Sequence, residues 1–166
     1  MNIVYILLGS NIGNKTDRLK EAVNHLQNIV KINRYSAAYE TAAWGNEVQD
    51  SFYNQVLEIE TELKVGELMK KCLQIEASMG RRREVKWESR IIDIDILFYN
   101  DEVVNDPFIT IPHPLLHERM FTLAPLSELE PHLIHPVFNK TISTLKAECQ
   151  DQLSVVKISS IHSSTI

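Results

Sequence analysis

Apolar positions along the chain follow two periods. Asn2 to Leu8 is a short, nearly unbroken apolar run closed by Gly9-Ser10-Asn11, which predicts a buried strand that turns into a helix. The helix shows itself in Leu19, Ala22, Val23, Leu26, Ile29 and Val30, spaced for one face of a 3.6-residue repeat. Ile32 to Glu40 and Asn54 to Thr61 alternate apolar and polar residues and predict two more strands. Leu68, Met69, Cys72, Leu73, Glu76 and Met79 return to the helical period, with Gly80 placed where a helix stops. From Arg90 to Tyr99 the period is two again, with Ile92, Ile94, Ile96 and Phe98 expected on one face and Asp93 and Asp95 on the other.

The order β, α, β, β, α, β predicts an α+β fold: a ferredoxin-like βαββαβ core with helices packed on one face of a mainly antiparallel sheet. Beyond it, residues 107–136 are proline-rich and predict irregular chain, followed by a C-terminal helix around Ile142 and Leu145 and a strand from Leu153 to Ile158. A length of 166 residues, with 44% hydrophobic and 23% charged side chains, fits one globular core. Residues 1–158 are expected to form a single domain and residues 159–166 a polar, loosely held tail.

The net charge of −5 argues against a protein built to coat nucleic acid, so any anion site must be local. No apolar run approaches the roughly 20 residues that cross a bilayer. Cys72 and Cys149 match no metal spacing and read as reduced thiols, which, with the absence of a leader sequence, suggests the cytoplasm. A monomer is the simplest expectation.

Asp93 and Asp95 carry the sharpest chemical signal. Two apart on a strand, they share a face at roughly 7 Å between Cα atoms. A pair of hard oxygen ligands suits magnesium, which leaves the rest of its octahedron to water and phosphate. Solvent exposure is the plainer reading, but Ile91, Ile92, Leu97 and Phe98 place the pair in a buried strand, where like charges need a cation. Arg81, Arg82, Arg83, Lys86 and Arg90 gather positive charge just upstream, and guanidinium forks fit phosphate oxygens. Glu76 sits on an apolar helical stripe, where an ion pair with Arg81 or Arg90 and a contact to nucleotide are equally open. Gly9 to Thr16 comes close to a phosphate-binding P-loop, but Asn14 replaces the second glycine, and the two consecutive strands that follow do not build a parallel sheet. Trp44, Phe52, Trp87 and Phe121, in or beside loops, offer stacking faces, and Asn54 offers an amide edge. The same aromatics leave open an RNA-binding module with an uncovered sheet face.

Gly9-Ser10-Asn11, Tyr39-Glu40-Thr41, Phe52-Tyr53-Asn54, Ile75-Glu76 with Gly80-Arg81, and Arg90-Ile91-Ile92-Asp93-Ile94-Asp95-Ile96 occur in that order, followed by Pro112-His113-Pro114, Arg119-Met120-Phe121 and Pro125-Leu126. The series resembles the pterin pyrophosphokinases of folate biosynthesis over nearly the whole chain. That resemblance implies transfer of pyrophosphate from ATP to the hydroxymethyl group of 6-hydroxymethyl-7,8-dihydropterin, with release of AMP. It implies that Asp93 and Asp95 hold two Mg2+ ions, and that Arg81, Arg83, Arg90, His113 and Arg119 neutralise phosphate, with Arg81 and Arg90 catalytic beside the two aspartates. Ile96 and Thr110 are implied at adenine and ribose. The pterin is implied to meet the Gly9 turn and the backbone of Thr41, Ala42 and Trp44, to stack on Phe52 and Phe121, to hydrogen-bond Asn54, and to be covered by Trp87. The sequence departs from the family pattern at Ala42-Ala43, Leu73 and Pro114.

Overall fold

A computed structural model describes residues 1–42, 50–80, 91–158 and 160–162. Strand β1 (Asn2–Ser10) leads into helix α1 (Lys15–Gln27), then β2 (Lys31–Tyr35), β3 (Tyr39–Thr41), β4 (Phe52–Thr61), helix α2 (Val65–Ser78) and β5 (Asp93–Tyr99). A two-strand hairpin, β6 (Val104–Asn105) and β7 (Thr110–Ile111), precedes helices α3 (Met120–Leu129) and α4 (Ile142–Glu148) and strand β8 (Val155–Lys157). The main sheet runs β5-β1-β4-β3-β8, with β2 pairing the other half of β4, and its pairs are antiparallel. This order, with β4 between β1 and β2/β3 and β1 between β5 and β4, is the interleaved split βαβ arrangement that the element sequence predicts.

Local chemistry explains the helix limits. Asn14 caps α1, its Oδ1 accepting from Asp17 N–H at 3.1 Å. The residue that spoils the P-loop pattern is therefore a helix cap, and the antiparallel sheet excludes that topology. At the start of α2, Glu67 accepts from Lys64 N–H at 3.0 Å, and past its end Gly80 takes φ +90°, a conformation that only glycine enters at little cost.

Four features of the fold depart from the sequence pattern. First, the sheet is covered on both faces. Val4, Ile6 and Leu8 meet α1 and α2 in one core, whereas Tyr5, Leu7 and Val56 meet Leu123 and Leu126 of α3 and Ile142 and Leu145 of α4 in another. No open sheet face is left for stacked RNA bases on the strands at its centre. Second, residues 107–136 contain α3, whose consecutive residues Thr122, Leu123, Ala124, Pro125 and Leu126 are all buried, so no amphipathic stripe betrays it. Third, the single strand expected over Ile32 to Glu40 is two. Ser36 breaks it by donating its N–H to Val56 O and accepting Val56 N–H on its hydroxyl, both at 2.9 Å.

Fourth, Phe98 is not on the face of Ile96. The β1–β5 register slips between Tyr5 and Ile6, so Leu97 and Phe98 both enter the α3/α4 core while Tyr99 returns to the α1/α2 core. Upstream of this bulge the alternation holds as predicted. In the C-terminal tail, Ile161 packs against the α1/α2 core and His162 lies 3.0 Å from Gln55 Oε1, its ring 4.7 Å from that of Tyr35.

His135, 3% exposed, is wedged between Phe98 and Phe138 and accepts Val137 N–H on Nδ1 at 3.2 Å. Burial, then the neighbouring His117, pushes its pKa down to about 4. His113 is likewise pushed down to about 4. Each stays neutral in the folded chain while the unfolded chain takes up a proton below the ordinary value near 6.5. Stability therefore falls as pH drops through the window from 6.5 to about 4, by up to ~1.4 kcal/mol per pH unit for each group. Urea unfolding across that window measures the slope, and His135→Gln is expected to remove the His135 share of it.

Candidate active site

The ends of three adjacent strands build the site. Gly9 of β1 pairs with Asn54 of β4 on one side and with Asp93 of β5 on the other, while Leu7 pairs with Val56 and Asp95. Cross-strand partners share a face. Leu7 and Val56 belong to the α3/α4 core, so Asp95, Asp93, Gly9 and Asn54 lie on that same side of the sheet, at the strand ends. Continuing outward, Asn54 pairs with Tyr39 and Phe52 pairs with Thr41. The structure thus brings the acidic pair, the glycine turn, the amide and Phe52 into three successive rows.

Gly9 is required by this packing. A Cβ there would lie 2.8 Å from Asn54 Oδ1 and 3.8 Å from Phe52 Cδ1. The space it leaves lets the buried Asn54 lie across β1 and donate from Nδ2 to Thr41 Oγ1 at 3.1 Å. The turn itself is stitched to the start of β4. Asn11 Nδ2 reaches Asp50 O at 3.4 Å, and Lys15 Nζ reaches Ser51 Oγ at 3.1 Å while standing 5.1 Å from the Tyr53 ring centre.

Asp93 and Asp95 are half-buried on β5. Between them Ile94 points the other way, and its N–H donates to Glu76 Oε1 at 2.8 Å. Glu76, 1% exposed, therefore grips the strand backbone at the acidic pair from beneath, on the α2 side. Beside it, burial followed by the charges of Glu76 and Asp95 pushes the Cys72 thiol up to about 12. Cys72 is an unreactive core thiol that registers a negative local field. The carboxylates of Asp93 and Asp95, on one face of β5, are hard oxygen donors of the kind a divalent ion shares with phosphate oxygens.

Positive charge is contributed by the segment that leads into α3. Arg119 stands immediately before α3, its guanidinium 5.5 Å from the centre of the Phe121 ring in the first turn. His113 N–H donates to Leu97 O at 3.0 Å, fixing the Pro112-His113 turn to the outer edge of β5. Burial first, and the Arg119 charge second, keep this histidine neutral at physiological pH. Its Nδ1 accepts Leu115 N–H at 3.2 Å, so the ring proton sits on Nε2, ready to be donated. Thr110 and His113 share a cleft of about 230 Å³ with Asn105, His117 and His135. Ile96 does not line it; its side chain is buried in the α1/α2 core.

Ala42 is exposed beyond β3. Trp44, Arg81, Arg83, Trp87 and Arg90 lie outside the described residues. The flanks of the arginine-bearing segment are close together: a Cβ on Gly80 would stand 3.4 Å from Ile91 Cδ1, beside the strand that carries the acidic pair. The sequence reading gave no role to Tyr39 or to Glu128, which the fold places next to these rows: Tyr39 is the β-partner of Asn54 and donates its hydroxyl to Glu128 Oε2 at 2.6 Å. The periodicity of Tyr39 hinted at burial only, and Glu128 fell in the stretch read as irregular.

Carboxylates on β5, a guanidinium and a neutral imidazole on the segment that leads into α3, and a buried amide on β4 are groups chemically suited to anionic oxygens with a cation and to a flat, hydrogen-bonding ligand. Residues 5–131 match the model of the 7,8-dihydro-6-hydroxymethylpterin-pyrophosphokinase (HPPK) family, and the chain belongs to that family. It is 41% identical to the 2-amino-4-hydroxy-6-hydroxymethyldihydropteridine pyrophosphokinase of Aquifex aeolicus over 148 residues, 89% of this chain and 92% of that one. The protein of the same name from Bacillus subtilis is 44% identical over 130 residues, 77% of this chain and 78% of that one. In fold it resembles the HPPK-DHPS of Plasmodium falciparum, with a TM-score of 0.69 at 19% identity, over 89% of this chain and 43% of that one.

Gly9→Ala tests the packing of the rows. The clash with Asn54 is expected to cost ~1–3 kcal/mol in urea unfolding. Because the clash is with that side chain, Gly9→Ala combined with Asn54→Ala should cost less than the sum of the two single changes. Additive costs would show that Gly9 and Asn54 do not compete for the same space.

Proposed function

We propose that the protein transfers the pyrophosphoryl group of ATP to the hydroxymethyl oxygen of 6-hydroxymethyl-7,8-dihydropterin, releasing AMP, as a step of folate biosynthesis. The observation that supports this reading is the shared row of Asp93, Gly9 and Asn54 on one face of the sheet, which we read as a phosphate-and-metal half beside a heterocycle half. At the heterocycle half, Asn54 and the backbone of Thr41, Ala42 and Trp44 read the pterin edge, Phe52 and Phe121 stack on its faces, the Gly9 turn lines its floor, and Trp87 covers it. At the nucleotide half, Ile96 and Thr110 hold adenine and ribose through backbone, with Glu76 behind them.

Asp93 and Asp95, both on the α3/α4 side of the sheet, are the residues that would hold Mg2+, two ions in this reading. Magnesium, when bound, supplies charge neutralisation to the transferring group. Arg81, Arg83, Arg90 and Arg119 add guanidinium donors, and His113 donates its Nε2 proton to a phosphate oxygen without bringing a net charge. No side chain has to act as nucleophile. In-line attack of the pterin hydroxyl on the β-phosphorus needs alignment and charge stabilisation, which two adjoining half-sites on one rigid sheet provide. The same reading takes residues 1–158 as one pyrophosphokinase domain that acts as a cytoplasmic monomer on small molecules, without nucleic acid or membrane.

Product analysis checks the assignment. AMP is expected only when ATP, Mg2+ and the pterin alcohol are all present, and ADP is not expected. Asp93→Ala and Asp95→Ala should each cut AMP formation by at least ~100-fold with unchanged circular dichroism. Full turnover by both variants would remove the metal assignment.

A further inference from the structure

Helix α3 carries site residues at one end and an unassigned carboxylate at the other. Arg119 and Phe121 stand at its N-terminus, Glu128 in its last turn. The Glu128 carboxylate is held by the strand side through both oxygens: Oε1 accepts Ala37 N–H at 3.1 Å and Oε2 accepts the Tyr39 hydroxyl at 2.6 Å. Lys157 Nζ of β8 lies 3.7 Å away. Burial, and then the bond to Glu128, raises the Tyr39 pKa, so the phenol remains a donor across the physiological range. The Tyr39 ring packs with Ala37 and Ala124, with Met120 of the first turn of α3 against them.

The strand end of this lock leads directly to the heterocycle half of the site. Tyr39 is the β-partner of Asn54, and two residues further on the same face Thr41 accepts the Asn54 amide. One carboxylate thus joins the helix that carries Phe121 to the strand that carries Thr41. Apolar contact alone permits sliding, whereas a bidentate grip on one backbone amide and one phenol fixes both the height and the roll of a helix.

We infer that Glu128 is a positioning residue for the pterin: through Ala37 and Tyr39 it sets the spacing of Phe121 on α3 from Asn54 and Thr41 on the sheet, and so the fit of a flat bicyclic ring. This rests on the placement of the pterin given above. Apart from Arg119 at the start of α3, the nucleotide half hangs on β5, β7 and the His113 turn, none of which Glu128 touches through a described hydrogen bond, so its loss should act on the pterin far more than on ATP.

Steady-state AMP formation with each substrate varied tests this. Glu128→Ala is expected to raise the pterin KM about tenfold and leave the ATP KM within about twofold, with Glu128→Gln lying between it and wild type because the amide oxygen still accepts one bond. Tyr39→Phe keeps the ring in its cluster and removes only the hydroxyl. It should raise the pterin KM about threefold, and it decides the matter should Glu128→Ala fail to fold. Unchanged pterin KM in the variants that fold, or equal rises for pterin and ATP, would overturn the inference and leave Glu128 a purely structural tie. Phe121→Ala is measured in parallel. If it too leaves the pterin KM unchanged, the inference fails because the pterin lies elsewhere; if Phe121→Ala raises the KM and the Glu128 variants do not, only the role of Glu128 fails.

Discussion

Strand β1 is buried on both faces, and much of the molecule follows from that. Val4, Ile6 and Leu8 on one side and Tyr5 and Leu7 on the other are each at most 6% exposed. A strand of this kind must be flanked by hydrogen-bonding neighbours and covered by helices above and below, because neither its apolar side chains nor its backbone groups tolerate water on an open side. β4 and β5 meet the first need, and α1/α2 with α3/α4 meet the second. Chemistry is then confined to places where the covering layers end. Gly9 and Ser10 are where β1 leaves its two cores, and the flanking strands put Asn54 and Asp93 beside Gly9.

At that boundary the charges are sorted by element. The carboxylates of Asp93 and Asp95 sit on β5, with Glu76 reaching up from the α2 side to bind the intervening amide. Arg119 and His113 belong to the segment between β7 and α3. The sorting is visible in the neighbours: Cys72 is shifted by negative charge and His113 by positive charge, each after burial. Carboxylates on one element and a guanidinium and an imidazole on another offer oxygen donors to a cation and hydrogen-bond donors to anionic oxygen.

Much of this was legible in the sequence because period and chemistry agreed. The strict alternation through Ile92, Asp93, Ile94, Asp95 and Ile96 identified both the strand and the shared face of the acidic pair, and Gly80 marked the end of α2. What escaped notice escaped for definable reasons. The β-bulge that turns Phe98 over depends on pairing with β1, which no local pattern carries. The break at Ser36 depends on a hydrogen bond to Val56, twenty residues away in sequence. Glu76 stood out as an anomaly on its stripe, but its partner, a backbone amide, has no side-chain signature.

Helix α3 is the most instructive omission. It is ten residues long, contains Pro125 and has no side-chain cap of its own at Arg119. Pro125 cannot donate to the carbonyl of Phe121, four residues earlier, so the first turn, which bears the aromatic, is short of one helical bond. Such a segment is a poor helix in isolation and reads as loop. It is held by partners from distant parts of the chain: Asp151 accepts Met120 N–H at 3.0 Å, standing in for the absent N-cap, while Arg34 donates to Leu129 O at 2.7 Å and pairs with Glu58 and Glu130. The C-terminal segment after α4 thus has a structural task at the very turn that presents Arg119 and Phe121. A helix whose order is supplied from outside can be placed where the site requires it, and its position, unlike that of α1 or α2, is a property of the assembled sheet and not of its own sequence.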